Sequence, residues 1–258
     1  MSSLRRAHAH GGAGRGAGRH GWPVARHLRR GLLAAIVAWL VITVGSVLLL
    51  RWVPPFGSAF MLEARIGALR AGVRGYRTDY EWVSLERISP QAAIAVVASE
   101  DQTFPINYGF DLKSIRNAVR AAQRGRRLRG ASTISQQVAR NLCLWPGRSF
   151  VRKGIEAYFT VLLETLWPKE RILEVYLNVA QFGRGIYGVE AAARRFYHEP
   201  AARLSASQAA LLAAVLPDPV HWHVDRPSRF VTWKQQWILA QMRNLGGAAY
   251  LREVRQNQ

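Results

Sequence analysis

The chain is poor in acids, almost without lysine and nearly without cysteine. It has 16 Asp and Glu against 36 Lys and Arg, and only four of those cations are lysines. Its single cysteine, Cys143, rules out a disulfide within the chain, so stability has to come from a packed core. Four of the seven histidines lie in the first thirty residues, which leaves His198, His221 and His223. None of these has another His, Cys or acid at a zinc-ligand spacing such as HExxH. No serine sits in a G-x-S-x-G context, which weighs against a His-based hydrolase triad. Strand-like alternation is also scarce, and no internal repeat is visible.

What is present is hydrophobic content of 49% in 258 residues, ample for one domain with a sizeable core. The net charge is +20, and residues 1–30 carry +7 of it from seven arginines and no acid. An excess of this size implies an anionic partner, whether nucleic acid, anionic lipid or a phosphorylated substrate.

Residues 1–30, rich in Gly, Ala, Arg and His without hydrophobic periodicity, read as a disordered cytoplasmic tail. Gly31–Leu50 (GLLAAIVAWLVITVGSVLLL) carries no charge and is long enough to cross a bilayer, so 31–51 is expected to be a transmembrane anchor. Arg29 and Arg30 make the preceding flank the more positive one, which predicts a tail inside and a domain outside. A cleaved signal peptide is the alternative, but its apolar region is usually shorter. Residues 52–85 open with the aromatic, proline-broken WVPPFGSAFM and read as a membrane-proximal segment; 86–258 read as the main domain.

Beyond Glu63 the spacing is mainly helical. Leu112, Ile115 and Val119 recur at helical intervals, as do Ile134, Val138 and Leu142, and Ile155, Phe159, Leu162 and Leu166. Pro168 suits a first helical turn before Ile172, Val175 and Val179. Ser205 and Gln208 fit a capping box ahead of QAALLAAVL, which Pro217 and Pro219 end, and Trp237, Ile238 and Met242 mark a last helix. Gly183, Gly185 and Gly188 read as a turn, since no strand–glycine–helix context makes them a dinucleotide loop.

Chemistry concentrates between Ala98 and Glu156. Glu100 and Glu156 bracket a cluster of amides, hydroxyls and cations. Paired carboxylates perform acid–base work on sugars, and clustered Arg and Lys hold phosphate oxygens. Each piece also has a plain structural reading. Arg152, Lys153 and Glu156, at i, i+1, i+4, could form a solvated face with an ion pair. Glu100 and Asp101, after AAIAVVAS, could simply end a helix, and Phe104 and Tyr108 are more often core than substrate platform. Gly130–Gln137 (GASTISQQ) fits either a helix start capped by Ser132 or Thr133, or a polar wall that binds sugar; Asn178 and Gln181 are equally ambiguous.

Taken together, the strings resemble the glycosyltransferase domain of the peptidoglycan polymerases, the family 51 transglycosylases, from about Ile88 to Trp222. The pattern E-D-x-x-F-x-x-H-x-G is met by Glu100, Asp101, Phe104 and Gly109, with Asn107 where the family usually has His. G-[GA]-S-T-I-[ST]-Q-Q is complete at Gly130–Gln137, and R-K-x-x-E at Arg152–Glu156. K-x-x-I-L-E-x-Y-L-N runs from Lys169 to Asn178, and G-x-x-G-[VI]-E-x-A-A-x-x-[YF]-F from Gly185 to Phe196, with Arg195 at the first aromatic position. Arg140 stands where a Lys usually follows the Q-Q pair, which keeps the charge but changes its geometry. No penicillin-binding Ser-x-x-Lys follows, so the resemblance is to the monofunctional biosynthetic type.

The resemblance implies a mainly α, lysozyme-like domain behind one N-terminal transmembrane helix, in the bacterial inner membrane with the domain periplasmic. It implies polymerisation of lipid II into β-1,4 glycan strands, with inversion and release of undecaprenyl diphosphate. Glu100 would be the general base and Glu156 would position cations or a divalent ion. Asp101, Phe104, Asn107, Ser132, Thr133, Gln136, Gln137, Arg140, Arg148, Arg152, Lys153 and Asn178 would bind substrate. No organic cofactor is implied; Mg2+ or Mn2+ near Glu156 is the candidate metal, and other cell-wall synthesis proteins are candidate partners. A membrane-anchored lytic enzyme and a non-enzymatic cell-wall scaffold are the rival readings. Nucleic-acid binding has no motif to support it.

Overall fold

The structure is a computed structural model, and it describes residues 21–124, 132–147 and 149–256. The expectation of a disordered tail at 1–20 lies outside the described residues. The chain divides into two units, Met1–Gly45 and Ser46–Gln258.

The first unit is described from Gly21, where helix α1 (Gly21–Leu50) begins, so 21–30 is helical rather than disordered. Hydrogen bonding has no reason to stop at the first charged residues, since Arg and Ala favour the helix as much as Leu does. Arg26–Leu50, with a mean hydropathy of 2.6, is long and apolar enough to cross a membrane. Leu33, Ile36, Val41 and Ile42 stand exposed along it, as lipid-facing side chains would.

The second unit opens with the last turn of α1. The carbonyls that end a helix lack internal partners, and here they are met from the domain. Trp167 Nε1 donates to Val47 O (2.7 Å), and Arg171 donates to Leu50 O (2.8 Å) and Val53 O (2.9 Å). A cation at this end also suits the helix dipole. Next come α2 (Ala59–Arg70), capped by Ser58, and the short strand β1 (Asp79–Tyr80).

Helix α3 (Pro90–Glu100) is the core of the unit. Pro90 occupies its first turn, where no N–H is missed, and Ala92 through Ala98 are all buried. It packs against α9 (Ala206–Val215) and α10 (Arg229–Asn244). Alanines on both α3 and α9 let their backbones approach closely, so burial on every side comes from small residues. Between these in sequence run α4 (Leu112–Gln123), α5 (Ile134–Cys143), α6 (Phe150–Leu166) and α7 (Lys169–Val179). Pro168 is the residue that caps α7. The capping boxes at Thr133–Gln136 and Ser205–Gln208 fix the starts of α5 and α9.

A small sheet follows α7: β2 (Gln181–Gly183) pairs antiparallel with β3 (Ile186–Tyr187), and β1 adds parallel to β3. The glycine-rich stretch is thus a hairpin that leads into α8 (Val189–Tyr197). Gly188, at φ 84°, has room for no side chain, since a Cβ would lie 2.7 Å from Asn178 O. Because β1 belongs to this sheet, residues 52–85 are woven into the domain, and 85/86 is not a structural boundary. α11 (Leu251–Gln256) closes the unit.

Candidate active site

Glu100 ends α3, half-buried, where apolar packing gives way to a cleft of about 470 Å³. The cleft is bordered by Glu100, Thr103, Lys113, Asn117, Ser132 and Trp237, among others. Ser99 Oγ donates to Glu100 Oε1 (3.1 Å) and Gln137 Nε2 donates to Oε2 (3.0 Å). The Oε1 of Gln137 accepts in turn from the Tyr176 hydroxyl (3.3 Å). Among the described residues no cation lies within ion-pairing distance of Glu100. Its carboxylate is held by neutral donors at the edge of open space.

Asp101, next in the chain, has a different task. It is buried and accepts from Asn107 Nδ2 (2.8 and 3.0 Å), Thr103 Oγ1 (3.1 Å) and Ile134 N (3.2 Å). Burial raises its pKa, and those donors oppose the rise. Asn107 joins it to a second charge pair, since its Oδ1 accepts from Gly109 N (3.0 Å) and Lys169 Nζ (3.3 Å). Lys169 also pairs with Glu164 (2.8 Å), which holds Ser135 Oγ as well. Desolvation lowers the pKa of Lys169 while Glu164 and Asp101 pull it back up. Asn107 needs only to donate and accept at once, which an amide does without titrating. Gly109 (φ 81°) permits the turn, and a Cβ there would strike Thr160 and Glu164 at 2.7 and 2.8 Å.

Several residues expected to bind substrate are therefore occupied within the fold. Phe104 is fully buried beneath Lys169, whose Nζ lies 4.7 Å from the ring centroid. Asn178 is fully buried and stitches α7 to the backbone of Val83, accepting from its N (2.9 Å) and donating to its O (2.8 Å). Thr133 donates to Gly109 O (2.7 Å) and accepts from Gln136 N (3.2 Å), while Gln136 Oε1 accepts from Thr133 N (3.2 Å). Asp101 is consumed as described. Phe104 is held by packing; for the others, a buried polar group is costly unless paired, and these are paired to backbone groups or, for Asp101, mainly to the side chains of Asn107 and Thr103.

Glu156 corrects the reading of α6. The face carrying Glu156, Thr160 and Leu163 is the buried one, while Phe150, Val151 and Val161 on other faces stand exposed. Glu156 itself is only 3% exposed, with Arg152 on one oxygen (3.2 Å) and Lys153 on the other. Arg152 Nε is buried without an acceptor among the described residues. Both oxygens of Glu156 are taken by cations, and among the described residues no group of three or more His, Cys, Asp or Glu side chains gathers to hold a divalent ion. Arg140 lies one turn beyond Gln137 on α5, on the same side, and stacks over Phe60 at 5.9 Å. Arg148 lies outside the described residues, as do Gly130 and Ala131 of the GASTISQQ string.

Sequence reasoning did not single out Ser99, Glu164 or Lys234 for the site. Lys234, from α10, is half-buried and within Coulombic reach of Glu100; desolvation lowers its pKa and Glu100 opposes this. Glu164 carried no signal beyond its polarity, because Ser135 reaches it from a distant segment.

A family model described as Transglycosylase matches residues 67–243. The chain belongs to the transglycosylase family. It is 51% identical over 224 residues to a biosynthetic peptidoglycan transglycosylase of Cronobacter sakazakii, covering 87% of this chain and 93% of that one. It is 51% identical over 228 residues to the protein of that name in Pectobacterium carotovorum (88% and 92%) and 52% identical over 225 residues to that of Salmonella typhimurium (87% and 93%).

Proposed function

We propose that this transglycosylase polymerises lipid II into β-1,4-linked peptidoglycan strands, anchored by α1 in the bacterial inner membrane with its tail cytoplasmic and its domain periplasmic. The observation that carries the reading is Glu100: a carboxylate at a cleft, held by neutral donors and paired with no cation among the described residues. A general base needs an ionised group within reach of the proton it takes and not locked in a salt bridge.

In this reading the growing strand is the donor, linked through its anomeric carbon to undecaprenyl diphosphate. Glu100 takes the proton of the GlcNAc 4-hydroxyl of lipid II as its oxygen attacks the donor carbon. The bond from that carbon to the diphosphate breaks, the diphosphate leaves with the electron pair, and the anomeric configuration inverts once. Arg140, Arg148, Arg152 and Lys153 stabilise the charge that develops on the leaving group. Glu156 organises those cations. Ser132, at the cleft edge, and Gln137 remain candidates for sugar contacts, and other cell-wall synthesis proteins are proposed partners.

The test is a polymerisation assay on purified full-length protein with lipid II, run beside digestion of finished peptidoglycan. Glycan strands from lipid II without release of fragments from finished wall are expected. Fragment release without polymerisation would make the protein lytic, and neither activity would make it a scaffold.

A further inference from the structure

Glu100 depends on a residue two steps away. We propose that Tyr176 is a positioning residue for the proton-accepting carboxylate: its hydroxyl, acting through Gln137, decides which end of the amide faces Glu100. This rests on the reading of Glu100 as the base.

The geometry allows one satisfied arrangement. Gln137 has an oxygen and an NH2 at one end of its side chain, with Tyr176 on one side (3.3 Å) and Glu100 on the other (3.0 Å). An ionised carboxylate only accepts, so it requires the NH2. The amide oxygen then faces Tyr176, which supplies the matching proton. Reversing the amide would set an oxygen against the carboxylate. Without the tyrosine proton, that reversal costs only the contact to Glu100, and the amide oxygen loses its buried partner. Tyr176 remains a donor throughout the working range, because burial first, and the charge of Glu100 second, hold its pKa well above the usual value. Arg140 opposes that rise.

Tyr176 itself sits in α7 with its ring fully buried between core side chains, so its position is set by packing. Gln137 is on α5, which packs against α7, and Glu100 ends α3. The relay therefore reports the mutual placement of three helices to one carboxylate.

The experiment is a double-mutant cycle of Tyr176→Phe and Gln137→Leu in the full chain, with kcat and KM for lipid II followed from acid to mildly alkaline pH. Removing the tyrosine oxygen keeps the ring. We expect kcat to fall about fivefold, as loss of one neutral hydrogen bond would give, with KM unchanged. The acid limb of kcat should move to higher pH, because a reoriented amide oxygen disfavours the anion that activity requires. The other charged and titratable groups around Glu100 stay in place: Asp101 beside it, Arg140 on α5, Lys234 on α10, and Asp111 and Lys113 across the cleft. In the Gln137→Leu background, Tyr176→Phe should add nothing, since the relay is already cut. A kcat within about twofold of the parent, a loss of the same size in both backgrounds, a rise in KM that accounts for the loss, or a Tyr176→Phe chain that does not fold would each overturn the proposal. Glu100→Gln, measured alongside, separates the two levels. If it keeps its rate, the base assignment falls and the relay with it; if it is inactive while Tyr176→Phe matches the parent, only the relay falls.

Discussion

The two glutamates that bracket the motif region are held in opposite ways. Glu100 is half-buried at a cleft, with a serine hydroxyl and an amide as its donors. Glu156 is sunk to 3% exposure and clamped by Arg152 and Lys153. A carboxylate bound by neutral donors can take a proton at modest cost, whereas one clamped by two cations gives up a charge-assisted pair to do so. In the proposed reaction this difference would divide the work: Glu100 would accept the proton, and Glu156 would hold Arg152 and Lys153 toward the leaving diphosphate.

The sharpest way to break this division is Glu100→Gln, which keeps the shape and removes the basicity. We expect initial polymerisation rates to fall roughly 10²–10⁴-fold, about 3–5 kcal/mol of barrier, while lipid II affinity on the same preparation holds. A rate within about threefold of the parent would make Glu156 the leading base.

The cation side is tested by Arg152→Gln with Lys153→Gln. Polymerisation should be lost, but so should stability, because the pair leaves Glu156 buried and uncompensated; stripping a buried pair costs about 3–5 kcal/mol, and the half-exposed Lys153 lowers that figure here. Adding Glu156→Gln should recover most of the melting temperature without recovering activity. If the triple variant regains activity with its stability, the cations serve only the ion pair.

A milder contrast separates two amides. Gln137 reaches Glu100, whereas Asn178 is spent on Val83 and Glu174. Asn178→Ala should lower stability by about 2–3 kcal/mol by leaving a buried N–H and C=O without partners. The kcat per folded molecule should change little, measured against melting temperature. A selective loss of kcat at full stability would return Asn178 to the site. The smallest effect is expected at Cys143, whose thiol burial pushes up to about 12. Since the thiolate is the reactive form, alkylation at mildly alkaline pH should be slow in the folded chain and fast in denaturant. Equal rates would show that α5 opens readily at its C-terminal end.

Much of the fold was legible because its signals are local. Apolar spacing marked α5, α7 and α9, and the two capping boxes marked where α5 and α9 begin. The faces of α6 were not legible. Periodicity assigns the apolar stripe inward, but α6 turns Glu156 and Thr160 inward, where Arg152 and Lys153 pair with Glu156 and the Glu156 carbonyl accepts from Thr160. Hydrophobicity ranks side chains one at a time, and it does not register that a charge can be buried when cations one turn away on its own helix compensate it. The same limit applies to Phe104, Thr133, Gln136 and Asn178, expected to bind substrate, whose side chains are packed or hydrogen-bonded within the fold.

Sequence alone determined the class of chemistry, the apolar helix near the N-terminus and the identity of the two carboxylates, since residue types and short spacings carry that information directly. Local spacing already offered the ion pair at Glu156; only the tertiary structure decided that this pair is buried and that Glu100 meets no cation among the described residues. Glu100 and Glu156 differ not in themselves but in what Gln137, Tyr176, Arg152 and Lys153 place against them. Gln137 and Tyr176 reach Glu100 across more than thirty residues of chain, and only packing makes such neighbours.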